Sequence, residues 1–116
     1  MKRWVLDLSN VLIDEGFSRK EAFKKAHAAR NLLELLGRGK VTFEYTKKDG
    51  TIRAAHGTLC KGVSREYDSY VRKGNNDHDC KSGVFSYWDI DVRGFRSFDI
   101  RNPFKIILTT IKKDEE

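Results

Sequence analysis

A single proline, Pro103, stands in 116 residues, so the chain has one built-in point, Arg101-Asn102-Pro103, where a β ladder must break for want of an N–H donor. Cysteines number two, Cys60 and Cys80, and a disulfide between them is disfavoured in a reducing cytosol. No apolar run approaches the roughly 20 residues that cross a bilayer. The opening MKRWVLDLSNVLIDEG is basic and then apolar, but Asp7, Asp14 and Glu15 interrupt it and no small-residue cleavage site follows, which argues against a secretory signal. A cytoplasmic location is expected. Neither a CxxC nor an HxxxH spacing occurs, and there is no nucleophile elbow, phosphate loop or paired-carboxylate motif. The reading is therefore of a protein that binds rather than catalyses, with no cofactor.

What is present is the balance of a globular chain, 39% hydrophobic and 34% charged, with a negative mean hydropathy. Its length suits one domain with one core. The net charge is +6, and dividing the chain after Lys40 leaves 9 basic against 5 acidic residues before the division and 14 against 12 after it. Most of the excess lies in the first third. Such an excess suits a polyanion through counterion release, although a run of charge is more often a solvated face.

Trp4, Val5, Leu8, Val11 and Leu12 recur at helical spacing, which predicts a first helix over residues 3–15 closed by Gly16. Ser18-Arg-Lys-Glu21 is a capping box and opens a second helix. Ala22, Phe23, Ala26, Ala29, Leu33 and Leu36 form its apolar stripe up to Gly37 and Gly39, with Lys20, Lys24, His27, Asn31 and Arg38 opposite. The two make a helical hairpin over residues 1–39. After Lys40 the period changes from 3.6 to 2. Val41, Phe43 and Tyr45 alternate with polar residues, Lys48-Asp49-Gly50 supplies a turn, and residues 51–59 return. A second hairpin runs over 84–90, turns through Asp91-Val92-Arg93-Gly94 and comes back over 95–100, placing Arg96, Phe98 and Ile100 on one face. Residues 104–111 alternate as a fifth strand.

The fold class that follows is α+β: a two-helix hairpin, then a small closed barrel of five antiparallel strands over residues 40–111, with a solvated tail at 112–116. Residues 60–82, rich in glycine, asparagine and charge, read as a long loop, with Tyr67, Tyr70 and Val71 as a short packed segment inside it. Loops of that length in a small domain are uncommon and are functional or mobile.

VTFEYTKKDGTIRAAHGTL at 41–59 and YWDIDVRGFRSFDIRN at 87–102 resemble the Sm-like, Src-homology-type barrel family grouped with the WYL domains, common in gut bacteria and their phages and including small stand-alone members. FSRKEAFKKAHAARNLLELLGRGK at 17–40 is similar to that family's helical lead-in. The resemblance implies an SH3-like, Sm-like barrel that senses ligands or binds nucleic acid in a regulatory role. It also implies that a basic and aromatic cluster near the barrel end, matched here by Arg96, Phe98 and Arg101, holds the ligand. The Trp-Tyr-Leu tripeptide is absent, with Tyr87-Trp88 nearby in reverse order.

Arginine presents two parallel donors to phosphate or carboxylate, which singles out Arg53, Arg96 and Arg101 on or beside predicted strands. The competing assignment is exposed arginines that offset Asp89, Asp91 and Asp99. Tyr45, Tyr87, Trp88 and Phe98 can serve as stacking platforms for bases. Phe43 and Phe98 suit the core better. Adjacent on one strand, Tyr87 and Trp88 must face opposite sides, so at most one is expected in the core. His56, Cys60, His78 and Cys80 are of zinc-compatible types at unsuitable spacing, and no metal is expected. A cysteine–histidine pair can be drawn from the same residues, yet nothing orients it.

Three functions from different classes follow. The leading one is nucleic-acid binding through a basic barrel face and the second helix, using Arg53, Arg96, Phe98, Arg101, Trp88, Tyr87, Lys20 and Lys24. A sensor of a small anionic, nucleotide-like ligand would use the same arginines. A phage-encoded protein-interaction adaptor would pair exposed strand edges with a partner. A deep pocket beside Arg96 and Arg101 would favour the sensor, and basic residues spread over helix and rim would favour nucleic acid.

Overall fold

A computed structural model describes residues 2–71 and 83–111. Helix α1 spans Lys2–Asp14 and α2 spans Arg19–Arg38, joined by a turn in which Gly16 adopts φ 110°. The Ser18 side chain accepts from the Glu21 amide at 3.2 Å, satisfying one of the donors that a helix start leaves open. Ser18→Ala is expected to destabilise the protein by about 1 kcal/mol. An unchanged thermal midpoint would contradict that.

Val5, Leu8, Leu12, Ala22, Ala26, Ala29, Leu32, Leu33 and Leu36 are buried, so the two apolar stripes face each other and the sheet. Phe23, read as part of the stripe, lies at its margin instead, exposed and stacked beside His27 with ring centroids 6.2 Å apart. The second helix also passes through Gly37 to Arg38 before the chain extends at Gly39.

Strand β1 follows at once as Gly39–Thr46, then β2 as Ile52–Thr58. Helix α3, Arg65–Val71, comes next, so the stretch read as a loop contains a helix. Its Tyr67 is buried against Trp88 and Phe95, at 6.0 and 6.2 Å, which fits the short packed segment read there. Residues 72–82 lie outside the described residues. Strands β3, Val84–Asp89, β4, Gly94–Asp99, and β5, Phe104–Ile111, complete the sheet.

All pairings are antiparallel, in the order β4-β3-β2-β1-β5. The sheet curls until Phe98 of β4 meets Phe104 of β5 at 5.9 Å. No ladder joins these two strands among the described residues, so the expected closed barrel is an open one. A register shift in the β1–β5 ladder, from Thr42↔Leu108 to Phe43↔Ile106, leaves Ile107 as an extra residue, and such bulges bend a strand.

The inner face follows from the register. Phe43 stands opposite Ala55, Tyr45 opposite Arg53, Phe85 opposite Phe98 and Tyr87 opposite Arg96, and directly opposed residues share a face. Phe43, Tyr87 and Phe98 pack edge to face or tilted, with centroids 5.1–6.1 Å apart. Gly57 permits this packing, because a Cβ there would stand 2.7 Å from Tyr87 Cδ2. Trp4 of α1 reaches Phe85 at 5.5 Å, which joins the helices to the same core.

Candidate functional site

The inner face becomes polar toward the tip of the β1–β2 hairpin. Two aromatic hydroxyls meet there, Tyr45 to Tyr87 at 3.0 Å. Beside them Arg53 Nη2 donates to Asp89 Oδ2 at 2.6 Å, with Asp89 wholly buried and Arg53 partly so. Tyr87 also donates to Asp89 Oδ2, at 3.4 Å. The other carboxylate oxygen, Oδ1, accepts from the Asp91 and Val92 amides at 3.0 and 3.1 Å. Burial by itself would raise the Asp89 pKa, but the Arg53 hydrogen bond and the Val92 and Asp91 amides outweigh it and hold the carboxyl below its usual value. Burial, reinforced by the Tyr45 hydroxyl, pushes Tyr87 up. At neutral pH the floor is therefore an ion pair beside the protonated Tyr87 phenol.

Above this floor opens a cleft of about 580 Å³, lined among others by Tyr45, Lys47, Lys48, Arg53, Arg96 and Asn102. Its cations come from three places. Lys47 and Lys48 belong to the β1–β2 turn, Arg53 to β2 and Arg96 to β4. Arg96 continues the row of Phe98 and Ile100, but those two are buried and Arg96 is exposed, because the inner face runs out into the cleft. Arg53 Nε is buried and has no hydrogen-bond partner among the described residues. An anion in the cleft would thus meet guanidinium and ammonium donors together.

Of the other residues read from the sequence as site candidates, Phe98 reaches the cleft lining and Tyr87 lies in its floor, while the rest stand elsewhere. Arg101 does not line the cleft. Its guanidinium binds Glu15 at the end of α1, with Nη2 to Oε2 at 2.8 Å, and Asp99 Oδ1 at 2.9 Å, and the Glu15 carboxyl is held below its ordinary pKa chiefly by that hydrogen bond. The residue fastens helix to sheet. Trp88 faces away from the cleft, opposite Phe95 and beneath Tyr67 of α3. Tyr87 is buried as well, which corrects the expectation that only one of this adjacent pair could be covered: the sheet is packed on both sides here. Phe98 reaches the cleft lining but is almost wholly buried. Lys20 and Lys24 are exposed on α2 and do not line the cleft.

Cys60 is a free thiol, and His78 and Cys80 lie outside the described residues. No group of His, Cys, Asp and Glu suited to a metal occurs among the described residues. Nor is any helix among them long and apolar enough to cross a membrane.

The family model WYL_2, Sm-like SH3 beta-barrel fold, matches residues 29–102. The chain belongs to this family. The matched region runs from the second half of α2 through β4 and the Asn102 turn, so the WYL_2 match takes in every cation of the cleft and leaves α1 and β5 outside. The likeness to the family's helical lead-in is thereby confined to the part of α2 from residue 29 on. No curated protein and no solved structure matches the chain. An Sm-like fold is generally a non-catalytic one, and domains grouped with WYL often bind ligands or nucleic acid. This chain is accordingly a small binding or regulatory module.

Sequence reasoning picked out Arg53, Arg96 and Phe98 but missed Lys47, Lys48 and Asn102. The lysines sat in a segment read for turn chemistry alone. Their signal was position, since a hairpin tip overhangs the mouth of a curled sheet.

Proposed function

We propose that the protein is a non-enzymatic module that takes a phosphate-bearing anion of nucleotide size in the cleft between the β1–β2 turn and β4. The observation that carries this reading is the convergence of Lys47, Lys48, Arg53 and Arg96 on one cavity floored by aromatic hydroxyls. Guanidinium supplies paired donors, the lysines supply point charges, and the exposed Val84 and Phe95 of the lining supply apolar surface. The cavity favours a small ligand over the nucleic-acid reading as first drawn, because Lys20, Lys24 and Arg101 stand apart from it. A bound strand would instead spread its phosphates from the cleft mouth onto the exposed lysines of α2.

One experiment separates the two. Thermal-shift and salt-dependent binding measurements with adenosine diphosphate and with short single-stranded DNA and RNA are compared for the parent protein, Arg96→Ala and Lys20→Ala/Lys24→Ala. With a small anion in the cleft, Arg96→Ala abolishes the ligand-induced stabilisation, leaves folding almost unchanged because Arg96 is exposed, and the α2 variant behaves as the parent. With a strand, the α2 variant loses about one unit of salt slope per phosphate contact removed. Binding by neither ligand would reject the cleft reading and leave the exposed β5 side chains Ile107, Leu108 and Ile111 as the remaining feature, in favour of a protein partner.

A further inference from the structure

Asp89 divides its two oxygens between the cleft floor and the β3–β4 turn. Oδ2 holds the cleft floor through Arg53 and Tyr87. Oδ1 holds the β3–β4 turn through the Asp91 and Val92 amides. That turn is a constrained one: Arg93 sits at φ 61°, a left-handed conformation uncommon for a side-chain-bearing residue, with its amide donating to the Asp89 carbonyl at 2.8 Å. The Arg93 guanidinium faces Glu66 of α3 at 3.9 Å. Trp88 and Phe95, flanking the turn, carry Tyr67 of α3. Together Arg65, Glu66, Ser69, Trp88 and Arg93 line a shallow outer depression of about 370 Å³.

We infer that Asp89 is a positioning residue that couples occupancy of the cleft to the conformation of the β3–β4 turn and α3. This rests on the cleft reading above. A phosphate group can accept two parallel N–H bonds from a guanidinium, so an anion in the cleft competes with Asp89 for Arg53. Once Arg53 turns to the ligand, Asp89 is a buried carboxylate without its counter-ion, an arrangement that is strongly unfavourable. The carboxyl then takes up a proton or swings toward solvent, and either movement weakens its hold on the Asp91 and Val92 amides. Arg53 thus has two alternative partners, and the turn is closed with only one of them. A coupling of this kind needs a ligand that interacts differently with the two states, and competition for one guanidinium supplies the difference.

The test reads amide exchange at Asp91 and Val92 by NMR, together with Trp88 emission in a Trp4→Phe background. In ligand-free Arg53→Gln the two amides should exchange about tenfold faster or more, as expected for opening of a local unit, while amides of Leu12 and Leu36 in the helical core stay at parent rates. Arg53→Lys, which keeps the charge, should restore slow exchange. A merely structural arginine would raise exchange throughout, and unaltered exchange at Asp91 and Val92 in Arg53→Gln would overturn the coupling whatever the ligand does. Inorganic pyrophosphate is then titrated into the parent protein, with calorimetry as the independent record of binding. Binding with faster exchange at the two amides and a shifted Trp88 emission supports the inference. Binding with those amides unmoved overturns it while leaving the cleft reading intact. Absence of binding by pyrophosphate counts against the cleft reading, and the coupling is then decided by the ligand-free variants.

Discussion

Asp89→Ala is expected to destabilise the protein by about 3 kcal/mol, because removing one member of a buried ion pair strands the other. Arg53 loses its carboxylate partner, at 2.6 Å, and the Asp91 and Val92 amides lose their acceptor. Leaving such donors unsatisfied has a cost of its own. The thermal midpoint should fall by on the order of 10 °C for a domain of this size. Asp89→Asn keeps an acceptor oxygen but not the charge, and should fall between the parent and the alanine variant. The pH dependence has a definite sign. The folded-state pKa lies below the ordinary 3.8, so the ionised carboxyl contributes stability that is fully present above that value and is lost as the pH falls through the folded-state value. Asp89→Asn should remove that part of the acid limb. Equal acid sensitivity in parent and variant, or a midpoint unchanged in Asp89→Ala, would show that the pair carries no net stability.

Removal of residues 1–17 is expected to abolish cooperative unfolding, for which we propose the physical reason that helices and sheet share one core. Helix α1 lies outside the matched region 29–102, yet its Val5, Leu8 and Leu12 are buried in the same cluster as Phe43, Phe85 and Phe98. Each such side chain contributes roughly 1.5–3 kcal/mol when fully buried. Their loss, with the exposure of the alanines and leucines of α2 that they cover, approaches the whole 5–15 kcal/mol margin of a typical domain. The shortened chain also gives up the Glu15–Arg101 contact. It should aggregate or show a broad, non-cooperative melt by circular dichroism. A residue 18–116 fragment that stays monomeric and unfolds in one sharp transition would refute the single-unit proposal.

Both N-terminal helices and every hairpin are legible in the sequence, since each rests on a local signal: the apolar period in 3–15, the Ser18 cap, the alternation from Val41 to Tyr45, the Asp49-Gly50 turn. Phe23 was misplaced because helical periodicity marks a stripe but not its margins, and α3 was foreshadowed only as a short packed segment of Tyr67, Tyr70 and Val71, since Trp88, which covers Tyr67, is far along the chain. Among the site candidates, Arg53 and Arg96 were recognisable as donors by residue type. That they would share a cavity, while Arg101 would not, had no local signature.

The sequence by itself determined the order of the two N-terminal helices and the five strands and the face of the sheet on which each residue lies, because periods of 3.6 and 2 and the caps and turns between them act within a few residues. Tertiary structure alone decided depth and company. Alternation puts Arg96 on the same face as Phe98 without saying that one stands at the mouth and the other in the core. It makes Tyr87 and Trp88 face opposite ways without saying that α3 covers the second. Arg101 meets Glu15 from the other end of the chain, and β4 and β5 approach through Phe98 and Phe104 without closing a ladder, because long-range packing chooses among partners that local propensity leaves equivalent.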